Sequence, residues 1–282
     1  MITARLRGNP SLFIGGGIIA LIGAFAVLGP MISSHSAEAT DMANRFAGPS
    51  GAHWMGTDNF GRDLWVRMAE GARMSMTIAL ASVGIATVIG TLVGLVTGYL
   101  GGWVDLVVMR IVDVFLGFPP IILALGMVAA LGPGPTQLIT ALAAVFWTEY
   151  ARVVRALTLA QREMDYVTAA KAMGASGPRI MIREILPNVM GPVIVLATLG
   201  LGTAIIAESG LSFLGFGVAP PTPTWGWALA TGTRYLRSDP WLSTVAGLAI
   251  MMTVLGFNLF GDGLRDYLDP RGVARKWRRT DT

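Results

Sequence analysis

Long apolar stretches alternate with short polar ones along most of this chain. Six of them meet or approach the roughly 20 residues that a helix needs to cross a hydrocarbon core. They lie at about 12–32, 74–100, 106–131, 136–157, 187–208 and 241–262. The pattern predicts an all-α membrane protein with six transmembrane helices. The third stretch contains Phe118-Pro119-Pro120, which should kink or break its helix, because proline lacks a donor N–H and its ring crowds the preceding turn. The fourth is the least apolar, with Glu149, Arg152 and Arg155 near its end, and is expected to run out of the bilayer as a helix. The second carries Gly84, Gly90, Gly94 and Gly98, and its Gly90/Gly94 spacing suits close packing of one helix on another. Glycine is also common in membrane helices generally, and on the pattern alone that plainer reading is preferred.

A polar, Arg-rich insert at 149–192 separates the fourth and fifth stretches and predicts two short helices around Gly174. Asp165 suits the N-cap of a helix starting at Tyr166. Ala169 and Ala170 are small enough for another surface to approach the backbone closely. Gly174 suits the left-handed position that ends a helix, and Ser176 or Gly177 can cap a second one, with Pro178 tolerated in its first turn. Pro187 disfavours helix at Leu186 and should turn the chain toward the next span. Arg179 and Arg183, one turn apart, share a face. The insert reads either as a docking surface or as an ordinary loop with a solvated basic face.

Composition supports the membrane reading. The 282 residues are 53% hydrophobic and only 13% charged, against about 25% charged in soluble domains. The net charge of +4 could suggest nucleic acid, but the basic residues sit between apolar spans, where topology accounts for them. With the N-terminus inside, fourteen basic residues face the cytoplasm: Arg5, Arg7, Arg152, Arg155, Arg162, Lys171, Arg179, Arg183, Arg265, Arg271, Arg275, Lys276, Arg278 and Arg279. Six face outward: Arg45, Arg62, Arg67, Arg73, Arg234 and Arg237. The positive-inside rule therefore puts both termini and the insert in the cytoplasm. Arg5 and Arg7 before an apolar run, with Ala37-Glu38-Ala39 after it, resemble signal-peptide grammar, but the run exceeds the usual h-region and an uncleaved helix is the better reading. The chain divides into an N-terminal helix and external connector (1–73), a core (74–264) whose cytoplasmic loop spans about 158–186, and a basic tail (265–282) suited to anionic lipid heads.

Chemistry-bearing residues are few. Asp113, Glu149, Glu208 and Asp262 lie within or beside apolar spans, where carboxylates are costly and mark functional sites by default. Asp113, Glu208, Phe213 and Asp262 are candidates to line a pathway, whereas Glu149 reads as an ion-pair partner of Arg152 and Arg155. The segment 211–227 reads either as a re-entrant element at the outer mouth or, through Trp225 and Trp227, as an interfacial aromatic belt. His53 with Asp58 and Asp63 matches no metal-ligand spacing, and Gly56-Thr57-Asp58-Asn59 is a better turn than a ligand set, so no metal is expected. The absence of cysteine excludes disulfides and thiol catalysis. With only His35 and His53, and neither H-E-x-x-H nor G-x-S-x-G, hydrolase motifs are missing. Neither lysine, Lys171 or Lys276, sits in a Gly-Lys-Ser/Thr context, so the chain has no P-loop and is not expected to be an enzyme.

Five blocks in order carry a family resemblance. They are His53-Trp54-Met55-Gly56-Thr57-Asp58 with Gly61-Arg62-Asp63, then Gly101-Gly102-Trp103-Val104-Asp105 with Met109-Arg110, Ala207 to Gly215, Pro220 to Gly226, and Gly261 to Asp266 with Leu268-Asp269-Pro270-Arg271. Together they resemble the C-type permease subunit of the dipeptide/oligopeptide/nickel family of ABC importers. Ala169-Ala170, Gly174, Leu186 and Pro187 sit at the spacing of that class's EAA loop, with Thr168 replacing its Glu and Glu184 its Ile. The resemblance implies a type I importer permease fold whose coupling helix contacts an ATPase. Tyr166, Ala169, Ala170, Gly174, Ala175, Arg179, Leu186 and Pro187 would then form the contact. It also implies half of a pathway for di- or oligopeptides, with nickel, glutathione or opine import as same-family alternatives. A passive channel or secondary carrier would need no ATPase. The implied partners are a homologous B-type permease, one or two ATPases, an extracytoplasmic binding protein and the lipid bilayer, with no nucleic acid. ATP and Mg would be bound by the partners, and the implied location is the bacterial inner membrane.

The orientation has a direct check. A thiol introduced by Ser176→Cys is expected to react with a membrane-impermeant reagent only from the cytoplasmic side; labelling from outside intact cells would invert the topology.

Overall fold

The computed structural model describes residues 9–268, whose regular elements are all helices, with one isolated bridge between Thr57 and Asp63. Helix α1 spans Pro10–Ile32, α2 Leu64–Leu100, α3 Gly102–Leu116, α4 Pro120–Leu131, α5 Pro135–Arg162 and α6 Asp165–Ala172. Helix α7 runs over Gly177–Phe213, α8 over Trp225–Arg234 and α9 over Trp241–Leu268. Four of these, α1, α2, α7 and α9, are long and apolar enough to cross a membrane. The sequence pattern's third stretch is a bent pair: α3 and α4 meet at 88° across Gly117–Pro119 and make a fifth span if counted together. Helix α5 is long enough at 28 residues but carries polar residues through its second half. Arg5, Arg7 and the tail from Asp269 onward, including the end of the last sequence block, lie outside the described residues.

Helix α2 is the mast of the bundle. Its 37 residues reach about 55 Å at 1.5 Å per residue, well beyond a hydrocarbon core of about 30 Å. The helix is launched by Asp63, whose Oδ1 accepts the Val66 N–H at 3.0 Å. All four buried apolar clusters draw on α2. Leu64, Met68 and Ala72 pack with Trp225 and Leu242, and Ile78 with Leu138, Leu142 and Leu211. Ala79, Val83 and Ala86 pack with Tyr150 and Ile205, and Leu95 with Val154, Val167 and Ile185.

Close packing is the correct reading of the α2 glycines. A Cβ on Gly90 would lie 2.6 Å from the Trp147 carbonyl oxygen, one on Gly94 2.5 Å from that of Ala151, and one on Gly98 2.7 Å from Thr158 Cβ. The two backbones therefore meet along three turns of α5, where only glycine fits. Gly84 faces open space and belongs to the ordinary membrane-helix glycines.

The connector 33–63 is ordered by carboxylates. Asp58 accepts the Phe60 and Arg62 N–H groups at 2.8 and 3.0 Å, and its Oδ2 pairs with Arg62 at 2.7 Å and Arg67 at 3.2 Å. Asp41 accepts from Asn44 Nδ2 and the Ala43 N–H, which hold its carboxyl below the usual range. The segment 211–227 corrects one expectation. Helix α7 continues to Phe213, and Trp225 at the start of α8 is buried, donating its indole N–H to the Met68 carbonyl at 3.0 Å. Trp225 is a core residue, with no place in an interfacial belt.

Gly94→Val is expected to destabilise the chain by about 1–3 kcal/mol through overpacking, read as a lower Tm in detergent. Gly84→Val, on the open face, should melt close to wild type. Equal melting of both variants would contradict the seam.

Candidate functional site

The polar insert forms a compact helical element fixed to the ends of α2, α5 and α7. Residue Val167 of α6 is fully buried against Leu95, Val154, Ile180, Ile185, Val189 and Val193. Two further contacts tie the same end to α2: Arg162 donates to the Tyr99 carbonyl at 3.0 Å, and the Lys171 ammonium lies 5.9 Å from the Tyr99 ring centroid. Helix α6 closes with a Schellman turn. Gly174, at φ +80°, donates to the Lys171 carbonyl at 2.9 Å, and Ala175 donates to that of Ala170 at 3.0 Å.

The expected docking residues divide between two faces. Tyr166, Ala169, Gly174, Arg179 and Pro187 are exposed. Ala170 is buried, and Ala175 and Leu186 are half-buried against the same cluster. Ala170 is small because its own chain packs there, so it does not present backbone to a partner. Asp165 also differs from expectation. It is the first helical residue, the N-cap is Met164, and no side chain caps this end. The Asp165 carboxylate still sits in the first turn, where the helix dipole favours a negative charge. Tyr166 bonds Gln161 Oε1 at 2.7 Å and accepts from Asn188 Nδ2 at 3.3 Å, linking α5, α6 and α7.

Pro187 does not turn the chain. The backbone stays helical from Gly177 to Phe213 because Ile180–Ile185 widens into a π-helix. Leu186 then donates five residues back to the Met181 carbonyl, and Asn188 Nδ2 satisfies the Glu184 carbonyl at 2.6 Å. Widened turns of this kind absorb a missing N–H within a continuous helix. Three exposed apolar residues of the insert carry no distinctive sequence signal: Met164, Ile182 and Met173. Met173 is the most exposed at 82%, beside Gly174 at the tip of the element.

The pathway candidates do not form one cluster. Glu208 is fully buried and accepts from Ser212 Oγ at 2.8 Å and Ser209 Oγ at 3.4 Å. That network replaces a pathway-lining position with an internal polar contact. Asp113 is half-exposed and paired with Arg152, while Phe213 and Asp262 are exposed. The expected Glu149 ion pair is also redistributed: Arg152 goes to Asp113 and Arg155 to Asp105, both on α3. These partners are distant in sequence, so spacing could not reveal them. Glu149 instead borders a cavity of about 220 Å³ between α5 and α7, with Phe146, Tyr150, Leu196 and Thr203. In the connector, Asp63 Oδ2 accepts from or pairs with His53 Nδ1 at 2.8 Å and lies 3.8 Å from His35 Nδ1, whereas Asp58 is committed to the two arginines.

Apolar helices of spanning length, with a polar helix clamped to their ends, are the features of a multi-pass membrane protein. Residues 90–272 match the family described as binding-protein-dependent transport system inner membrane component. Residues 1–49 match the N-terminal TM domain of oligopeptide transport permease C. The chain belongs to the family of binding-protein-dependent transport inner-membrane components. It is 43% identical to a dipeptide transport system permease protein of Alkalihalophilus pseudofirmus, over 95% of this chain and 88% of that protein. It is 37% identical to an oligopeptide transport system permease protein of Bacillus subtilis, over 95% and 88%. A glutathione transport system permease protein of Pectobacterium atrosepticum is 42% identical over 79% and 74%.

Proposed function

We propose that the chain is one of two permease subunits of an ATP-driven importer, and that it forms half of the pathway for a peptide delivered by an extracytoplasmic binding protein. Peptide cargo follows from the relatives, which include dipeptide, oligopeptide and glutathione permease proteins; glutathione is itself a small peptide. Six spans result if the bent α3–α4 pair counts as one and α5 as another, beside α1, α2, α7 and α9. The homologous second permease would complete the pathway. ATP and Mg would reside on separate ATPase subunits, consistent with the missing P-loop.

One observation carries the coupling role. The outward face of α6 is exposed, while its inner face is locked by Val167 into the ends of α2, α5 and α7. An ATPase groove that closes on Ala169, Met173 and Gly174 would displace those three spans together. Transport then follows from the ATPase holding α6 differently in its open and closed states, since a partner shifts a conformational equilibrium only by its differential affinity.

Gly174→Asp separates docking from folding. No atom of the chain lies within 4 Å of a Cβ built there, and aspartate visits the left-handed region more readily than most residues. The variant should therefore insert and fold, with a modest loss of Tm from a non-glycine residue at φ +80°, while losing peptide uptake and peptide-stimulated ATP hydrolysis. Wild-type uptake by Gly174→Asp would remove the coupling assignment.

A further inference from the structure

We propose that His35, His53 and Asp63 form a binding site for a transition-metal dication of the Zn²⁺ type, which fastens the end of α1 to the start of α2. One donor atom from each of the three residues lies within 4.8 Å of the others. A tetrahedral site with bonds of 2.0–2.1 Å places its donors roughly 3.3 Å apart. The Asp63–His53 and Asp63–His35 separations of 2.8 and 3.8 Å bracket that value. Two imidazoles and a carboxylate suit zinc and its neighbours better than calcium or magnesium, which prefer oxygen ligands.

The surroundings fix the donors, which are hydrogen-bonded without an ion: His53 Nδ1 to Asp63 Oδ2 at 2.8 Å and His35 Nδ1 to Ser33 Oγ at 3.4 Å. Asp63 Oδ1 caps α2 through the Val66 N–H, leaving Oδ2 for the histidines. The arginines that would otherwise neutralise Asp63 are taken by Asp58, and among the described residues Asp63 pairs only with histidines. Two long-range bonds hold the segment bearing His35: Trp65 Nε1 to the Gly29 carbonyl at 3.0 Å and Arg67 to that of Ala37 at 2.8 Å. The imidazoles lie 4.5 Å apart between ring centroids. A cavity of about 370 Å³, bordered by Ser33, Ser34, Trp54 and Trp65, opens beside them and leaves room for water as the fourth ligand.

The three ligands come from the exit of α1, the middle of the connector and the cap of α2. A bound ion would close the connector as a clasp on the face opposite α6. The site is separate from the proposed ATPase contact, so it stands or falls independently of that reading.

The test uses the untagged full chain in detergent, stripped of metal with a chelator, and titrated with ZnCl₂ by calorimetry and with CoCl₂ by absorption. We expect one ion per chain, tetrahedral-type Co²⁺ visible bands and a Tm that rises with added Zn²⁺. Loss of an outer-shell partner alone weakens metal binding about 10–100-fold, so His35→Ala and His53→Gln should each weaken it more than about tenfold and abolish the Co²⁺ bands. His35 is 37% exposed, so His35→Ala is expected to keep the metal-free Tm of wild type. Absence of stoichiometric binding by wild type, or equal binding by the His35→Ala/His53→Gln double variant, would overturn the site.

Discussion

The seam between α2 and α5 is the contact on which the rest of this molecule is built. In a bilayer the hydrophobic effect gives no reason for two helices to associate, so association rests on close packing and on polar contacts. Gly90, Gly94 and Gly98 let α2 reach the backbone of α5 over three turns. Because α2 also contributes to every buried cluster, the positions of α1, α4, α7, α8 and α9 are all referred to this pair. The ion pairs Asp113–Arg152 and Asp105–Arg155 then fasten α3 to the same α5.

The seam explains why a small surface helix can matter to a membrane bundle. Leu95 near the end of α2 and Val154 on α5 belong to the cluster that holds Val167 of α6 and Ile180, Ile185 and Val189 of α7. A force on α6 is thus applied to packed side chains, and close-packed interiors transmit displacement with little compression. The π-helical stretch Ile180–Ile185 keeps α7 continuous from the insert into the bundle. A break at Pro187 would have uncoupled them.

Local features were legible in the sequence because their causes are local. The Gly174 turn needs only a residue at positive φ, and the break between α3 and α4 needs only Phe118-Pro119-Pro120. Features that depend on distant partners were hidden. Pro187 looked like a turn because proline penalties are read from neighbours, whereas a π-turn upstream relieved them. Asp165 looked like a cap, but Met164 occupies that position. Ala170 faces its own core, Arg152 and Arg155 choose carboxylates on α3, and Trp225 is buried by Met68 and Leu64 from the start of α2. His35 and His53 meet only because the connector folds back on Asp63.

The proposed role of α6 and its tip is to form the contact through which an ATPase moves the spans. The most direct measurement is site-specific crosslinking in the assembled importer from a cysteine replacing Met173, which is 82% exposed. A cysteine replacing Leu214, past the far end of α7, serves as the reference. An ATPase adduct is expected from position 173, with a yield that changes when nucleotide is bound, and none from position 214. An intact complex with the ATPase present but no adduct from position 173 would contradict it.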